Sequence, residues 1–181
     1  CVWPRDDERP ICCVYVSPVW EFKHQWVVVR AIELLRNRDH NIMLRLIGAG
    51  SGAPQRRLEY QIRQSDPNSV FTQQLGEVAH AELPSQLAHA DLFLFASSCE
   101  NMPVTLLEAM AVGLPIACSD RGPMKEVLQD GGVYFDPEDA GSIAEAIEKI
   151  ITDTELRTRI SKRVKELASH YSWKRCADET F

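Results

Sequence analysis

Short apolar runs recur along the chain at regular intervals: ICCVYV (11–16), IMLRLIG (42–48), SVFTQQLG (69–76), DLFLFA (91–96), LPIACS (114–119) and GVYFD (132–136). Ile, Val, Leu and Phe dominate them, and their apolar positions are consecutive rather than alternating. A half-exposed strand alternates, so continuous runs predict strands buried on both faces. Between the runs, polar and apolar positions follow helical spacing. Residues 25–37 are apolar nearly all round and predict a well-buried helix. Residues 53–65 are polar, with Leu58 and Ile62 on one stripe. Shorter helical patterns cover 83–90, 105–112 and 122–130, the last ending at Gly131 and Gly132, a helix stop. Strand alternating with helix predicts an α/β domain: a Rossmann-like, three-layer arrangement with a six-stranded parallel sheet, helices on both faces and right-handed crossovers.

The pattern changes after Pro137, where strands cease. Ser142 with Glu145, and Thr152 with Glu155, have the spacing of capping boxes and predict helices over 141–151 and 153–169. A last helix is expected to begin near Ser172. The opening CVWPRDDERP is charged and bounded by prolines, so residues 1–10 read as a linker or tether ahead of a domain over 11–181. Residue 1 is Cys rather than Met, which implies a start inside a longer protein.

Composition narrows the class. A chain of 181 residues, 45% hydrophobic and 25% charged, suits one globular domain with a full core. The net charge of −6 argues against nucleic acid as a partner, because neutralising phosphates takes a basic surface. A local basic pocket for one small anion stays compatible with it. No apolar run approaches the ~20 residues of a membrane span, and no secretory signal is visible. The cysteines at 1, 12, 13, 99, 118 and 176 form no C-x-x-C pair and do not cluster with His. They read as reduced thiols of a cytoplasmic protein, with no metal site.

Ligands of open parallel sheets bind beyond the carboxyl ends of the strands. Three loops at such ends carry unusual residues. SPVWEFKH (17–24) ends with Lys23 and His24 just before a helix. GAGSGA (48–53) contains Gly48, Gly50 and Gly52, which allow close backbone approach. It reads GxGxG rather than GxGxxG, and roughly 20 residues past Gly50 stands Val70 rather than a ribose-holding acid, which weakens a dehydrogenase reading. SSCENMPV (97–104) carries Glu100 and leads into a helix bearing Glu108. A helix start offers free N–H groups and the positive end of the dipole.

Each feature also has a purely structural reading. Lys23 suits a solvated helix start, the glycines suit a tight turn, and Glu100 suits a loop acid drawn to the helix dipole. Glu108 could close a capping box with Thr105. Against that, Pro103 prefers the first helical position. That would put the cap at Met102 and Glu108 in the second turn of an otherwise apolar helix, where it needs a partner. From the residues alone, ligand and structural roles for both glutamates stay open.

ENMPVTLLE (100–108), followed by AMAVGLPI and by GPMKEVLQDGGVYFDPED (122–139), resembles the nucleotide-sugar-binding half of retaining GT-B glycosyltransferases of family 4. The resemblance covers nearly the whole chain. LIGAGSG (46–52) is similar to the family's second-strand glycine loop, LGEVAHAELPSQLAHADLFLFASS (75–98) to the segment before the two glutamates, and YSWKRCADETF to its terminal helix. The resemblance implies a donor site for a nucleoside-diphosphate sugar of UDP or GDP type. In it Glu108 accepts hydrogen bonds from the ribose, and Glu100 sits near the transferred sugar. Asn101 and the N–H groups of Met102, Val104 and Thr105 face sugar and diphosphate, beside Gly48 and Gly50. Lys23 neutralises the leaving diphosphate, and the backbone near Val78 holds the base. Catalysis falls to Glu100 and Lys23, with no cofactor and no metal.

Two departures bear on the pose. Where the family often has an arginine, this chain has Ser17 or Pro18, with His24 as a substitute phosphate contact. Where it has a glycine, this chain has Pro103, which lacks an N–H. The acceptor, a glycan or lipid-linked glycan, would meet a missing N-terminal domain, and the full-length protein could attach peripherally to the inner membrane face. A sugar-nucleotide epimerase of the same fold, and a non-catalytic nucleotide-sugar or partner-binding module, are the alternatives.

Overall fold

The computed structural model describes Trp3 and residues 9–172. Strands β1 (Ile11–Val16), β2 (Ile42–Ile47), β3 (Thr72–Gln74), β4 (Leu92–Phe95), β5 (Ile116–Ser119) and β6 (Val133–Phe135) form one six-stranded sheet in the order β3-β2-β1-β4-β5-β6. Every pairing is parallel, as expected where each connection passes through helix. Ile11 lies opposite Ile42 and Val16 opposite Ile47, while Cys13 on the other side meets Leu92. The order therefore reverses between β1 and β4, and a crevice opens there at the carboxyl ends.

Helices α1 (Gln25–Arg36), α2 (Gly52–Ser65), α3 (Leu83–Ala88), α4 (Val104–Val112), α5 (Met124–Leu128), α6 (Ala140–Thr152) and α7 (Thr154–Ala168) cover both faces. α1 packs against α2 and α6, and α4 packs against α3 and α7. Leu92, Phe93, Leu94 and Phe95 of β4 are all fully buried, which explains why the run lacks alternation. Each such side chain contributes about 1.5–3 kcal/mol relative to exposure. No helix among the described residues is long and apolar enough to cross a membrane.

The edge strand is shorter than the 69–76 pattern suggests. The Asp66 carboxylate accepts the N–H groups of Val70, Phe71 and Thr72 at 2.7, 2.9 and 2.7 Å, and Ser69 takes φ 52°. This side-chain turn uses up the donors a strand would need, so pairing starts at Thr72. Two 3-10 turns, Glu21–Lys23 and His80–Glu82, also interrupt what the pattern left as loop.

Neither expected capping box forms. Asp139 caps α6, its Oδ1 accepting the Gly141 N–H at 2.8 Å, and Ser142 instead accepts the Asp136 N–H at 3.0 Å. Asp153 caps α7, accepting the Leu156 N–H at 2.8 Å, while Thr152 donates back to Glu148 O within α6. Both aspartates hold extended φ/ψ and precede the first helical residue, so they take the capping position ahead of Ser142 and Thr152. Glu145 and Glu155 are left without a boxing role. The helix expected from Ser172 lies outside the described residues.

Of the expected tether, Trp3, Arg9 and Pro10 are described. The Arg157 guanidinium lies 4.1 Å from the Trp3 ring centroid. Arg9 donates from both terminal nitrogens to Asp91 at 2.6 and 2.8 Å, and Asp91 also accepts the Cys12 N–H at 2.8 Å.

Candidate functional site

The loop after β1 continues beside the loop after β2. Ser17 N–H donates to Ile47 O at 2.8 Å and Val19 N–H to Ala49 O at 3.0 Å. The chain then turns through Glu21–Lys23 and reverses at His24, which takes the left-handed φ 53°, ψ 28° before α1. This turn points Lys23 inward. Its ammonium lies 5.4 Å from the Phe22 ring centroid and 5.6 Å from that of Phe95, so two aromatic faces support the charge. The Tyr15 hydroxyl, buried under the turn, donates to Lys23 O at 2.7 Å.

The loop after β4 meets this turn. Ser98 N–H donates to Phe22 O at 2.8 Å, and the Ser98 hydroxyl lies 2.8 Å from His24 Nε2. Glu100 follows, and its carboxylate forms an ion pair with the Lys23 ammonium. Their side chains are only 13% and 8% exposed. A lysine suited by sequence to a solvated helix start is thus buried and paired. His24, suited by resemblance to a phosphate contact, is turned onto Ser98 instead.

α4 opens one residue later than Pro103 at its first position would require. Pro103 sits at φ −80° with ψ 74°, outside the helical region, and its carbonyl accepts the N–H groups of Leu106 and Leu107 at 3.1 and 3.2 Å. The cap is therefore Pro103 rather than Met102, and Glu108 falls in the second turn, beyond capping reach. The Glu108 carboxylate lies 3.0 Å from His80 Nε2, at a side chain 87% exposed, while Glu108 itself is 26% exposed. Thr105 donates from its hydroxyl to Val16 O at 3.3 Å, tying the helix start to the end of β1. The Val104 N–H is occupied by Met102 O at 2.9 Å. Asn101, Met102 and Val104 are exposed along the same rim.

The glycines make their close approach to the chain itself. A Cβ on Gly48, at φ +129°, would stand 2.2 Å from Ser17 O, and one on Gly50 would stand 2.4 Å from Val19 Cβ. Gly48 N–H also donates to Gly76 O at 2.7 Å, which draws the segment towards Val78 and His80 to the β2 loop. These glycines thus lock three loops together at the rim.

The electrostatics follow the burial. The Tyr15 hydroxyl and the Cys118 thiol are pushed well above their ordinary values by burial first and by the negative charge of Glu100 second. Burial pulls His24 below its ordinary value, against the opposing pull of Glu138, Glu21 and Asp136. Among the described residues, no group of three or more His, Cys, Asp or Glu is placed to hold a metal ion. Two clefts open at the opposite rim, one of about 610 Å³ beside Arg9, Cys12, Arg45 and His89, the other of about 540 Å³ beside Trp3, Arg157, Ser161 and Lys165. Their guanidinium groups already have protein partners: Asp91 for Arg9, Gln86 for Arg45, and Ile150 O, Ile151 O and Thr154 for Arg157.

Sequence reasoning missed Tyr15, Ser98 and His80. Tyr15 reads as one more apolar residue of a strand, and Ser98 as one of two adjacent loop serines. His80 sits in a segment without periodicity, so only its position opposite α4 reveals it.

Comparison with known proteins gives a consistent family. A family model described as "Glycosyl transferases group 1" matches residues 3–167. The chain is 27% identical over 168 residues to the D-inositol 3-phosphate glycosyltransferase of Paenarthrobacter aurescens, covering 91% of this chain and 41% of that one. It spans under half the length of the curated relatives it matches first. Its fold superposes on Anabaena Alr3699/HepE in complex with UDP and glucose, with a TM-score of 0.80, 22% identity, and coverage of 90% of this chain and 44% of that one. It also superposes on the C-terminal domain of a glycosyl transferase group 1 family protein (LpcC) from Francisella tularensis, with a TM-score of 0.77, 20% identity, and coverage of 90% and 86%.

Proposed function

The chain belongs to the glycosyl transferases group 1 family, and from that premise we propose that it forms the donor-binding portion of a retaining GT-B glycosyltransferase of family 4. In this reading the whole protein moves a sugar from a nucleoside-diphosphate sugar to an acceptor glycan, lipid-linked saccharide or small molecule. The observation that carries the reading is the meeting of Lys23 and Glu100 in the crevice between β1 and β4. That crevice is where open α/β sheets take their ligands. The fold likeness to a protein solved with UDP and glucose favours a UDP-sugar donor, with GDP as the other candidate.

As the nucleoside diphosphate departs, negative charge builds on its phosphates while the sugar becomes oxocarbenium-like. Lys23, largely shielded from water, offers a fixed positive charge to the departing phosphate. The start of α4 adds N–H groups at Met102 and Thr105; that of Val104 contributes once it leaves Met102 O. Glu100 accepts hydrogen bonds from the transferred sugar, beside Asn101. Glu108 accepts them from the ribose after His80, an exposed partner, swings aside. The backbone at Val78, tied through Gly76 to Gly48, borders the base. The scheme requires no metal, because Lys23 and the helix start supply the positive charge. We assign the protein to the cytoplasm, where its free thiols at Cys12, Cys13, Cys99 and Cys118 would stay reduced, with peripheral attachment of the full-length enzyme to the membrane.

A thermal-shift panel of nucleoside diphosphates and nucleotide sugars identifies the base, since a ligand of the folded state raises the melting temperature. Calorimetry with that nucleotide should then give roughly tenfold or greater weakening in Glu108→Ala, as for loss of a hydrogen bond to a charged group. Unchanged affinity would remove Glu108 from the ribose. Transfer itself is expected only from the longer protein, because this chain covers 41% of its D-inositol 3-phosphate glycosyltransferase relative.

A further inference from the structure

We propose that the Lys23–Glu100 pair is a selectivity latch: it disfavours a nucleoside diphosphate alone and yields to a ligand that carries diphosphate and sugar together. The inference rests on the donor-site reading above and adds how the site tells its donor from its spent product.

The two groups satisfy each other, and both side chains are largely out of water. Their backbones are pinned. Tyr15 holds Lys23 O, Ser98 N–H holds Phe22 O, and His24 Nε2 is in hydrogen-bond contact with the Ser98 hydroxyl. The pair can therefore be parted by side-chain rotation, without moving either loop. The two sides of the parting differ. Lys23 keeps the faces of Phe22 and Phe95 beneath it when Glu100 leaves. Among the described residues Lys23 is the one cation paired with Glu100, and the buried Tyr15 hydroxyl and Cys118 thiol near it are held neutral by burial first and by its charge second.

A bare diphosphate that takes Lys23 strands a largely buried Glu100 next to a new anion, which is unfavourable on two counts: like charges at short range and lost pairing. A nucleotide sugar meets both needs, giving phosphate oxygens to Lys23 and hydroxyl donors to Glu100. Once the sugar has been transferred, Glu100 loses those donors and recovers Lys23, and the diphosphate is displaced. The same pair thus raises the preference for donor over product and speeds product departure.

The test titrates the wild-type chain and Glu100→Gln with UDP or GDP, whichever the panel selects, and with the matching nucleotide sugar. Wild type should bind the nucleotide sugar more tightly than the diphosphate. Glu100→Gln should bind the diphosphate about tenfold more tightly than wild type does, and the preference for the sugar-bearing ligand should disappear. Should melting curves reveal that Glu100→Gln does not fold, Glu100→Ala is read in its place. Diphosphate affinity that is unchanged or weaker in these variants, with Glu108→Ala still weakening it, overturns the latch and leaves the donor site standing. Absence of nucleotide binding by wild type and variant alike overturns both.

Discussion

His24 Nε2 lies 2.8 Å from the Ser98 hydroxyl, and this contact, beside the bond from Ser98 N–H to Phe22 O, joins the loop that carries Lys23 to the loop that carries Glu100. His24 holds it from the left-handed region, at φ 53°, where a non-glycine residue is disfavoured by roughly 1–2 kcal/mol. Replacing Ser98 with Ala removes the tie while leaving that strain in place. We expect Ser98→Ala to lose about 1 kcal/mol in urea unfolding and to bind nucleotide more weakly. Full stability with full affinity would mean that the contact holds nothing.

The same histidine sets a pH dependence. Burial pulls its folded pKa below the ordinary 6.5. In the window between those two values the unfolded chain carries the extra proton, so stability rises with pH. The contribution of neutral His24 is fully present above pH 6.5 and is lost as pH falls through the folded pKa. Melting temperatures of wild type and His24→Gln, compared from about pH 7.5 to 5.5, should diverge least at the acidic end. Parallel curves would exclude His24 as the source.

Gly48 and Gly52 both have positive φ, but their surroundings differ. A Cβ on Gly48 would collide with Ser17 O at 2.2 Å, whereas one on Gly52 meets nothing within 4 Å. Gly48→Ala should therefore cost about 3 kcal/mol or more, from strain and clash together, and Gly52→Ala only about 1. Urea unfolding separates them, and equal losses would mean that backbone strain alone governs this loop.

The helix caps give a direct contrast. Asp153→Ala removes the acceptor of the Leu156 N–H and should destabilise by about 1 kcal/mol. Thr152→Ala removes only a bond to Glu148 O within α6 and should stay within about 0.5 kcal/mol of wild type. A larger effect at Thr152 would restore the capping box that its spacing suggests.

These contrasts mark where the chain was readable and where it was not. Runs such as DLFLFA announce strands because both faces of β4 are covered, leaving no polar positions to interrupt them. β3 was overestimated because Asp66 takes donors from the neighbouring backbone, an effect that hydrophobicity does not register. The Ser142 and Thr152 boxes failed because aspartates stood closer to the true helix starts. Lys23 and Glu100 each stood out as unusual residues, but they are 77 positions apart. Their contact depends on β4 lying beside β1, and a strict succession of strands and helices does not reveal where the order turns back. His80, the partner of Glu108, was hidden because its segment carries no periodicity to place it.

The loops bearing Lys23 and Glu100 spring from adjacent rungs of one ladder, and the spacing of such rungs, roughly 4.8 Å, is set by main-chain bonding. That spacing sets the two loops side by side, and the turn through Glu21–Lys23 with the Ser98 N–H bond to Phe22 O then brings the two charges together. In the proposed donor site, substitutions at Val78 and at 101–102 would retune which base or sugar is welcomed without disturbing that spacing. In that proposed site, choice of ligand and placing of the charged pair thus belong to separate stretches of chain.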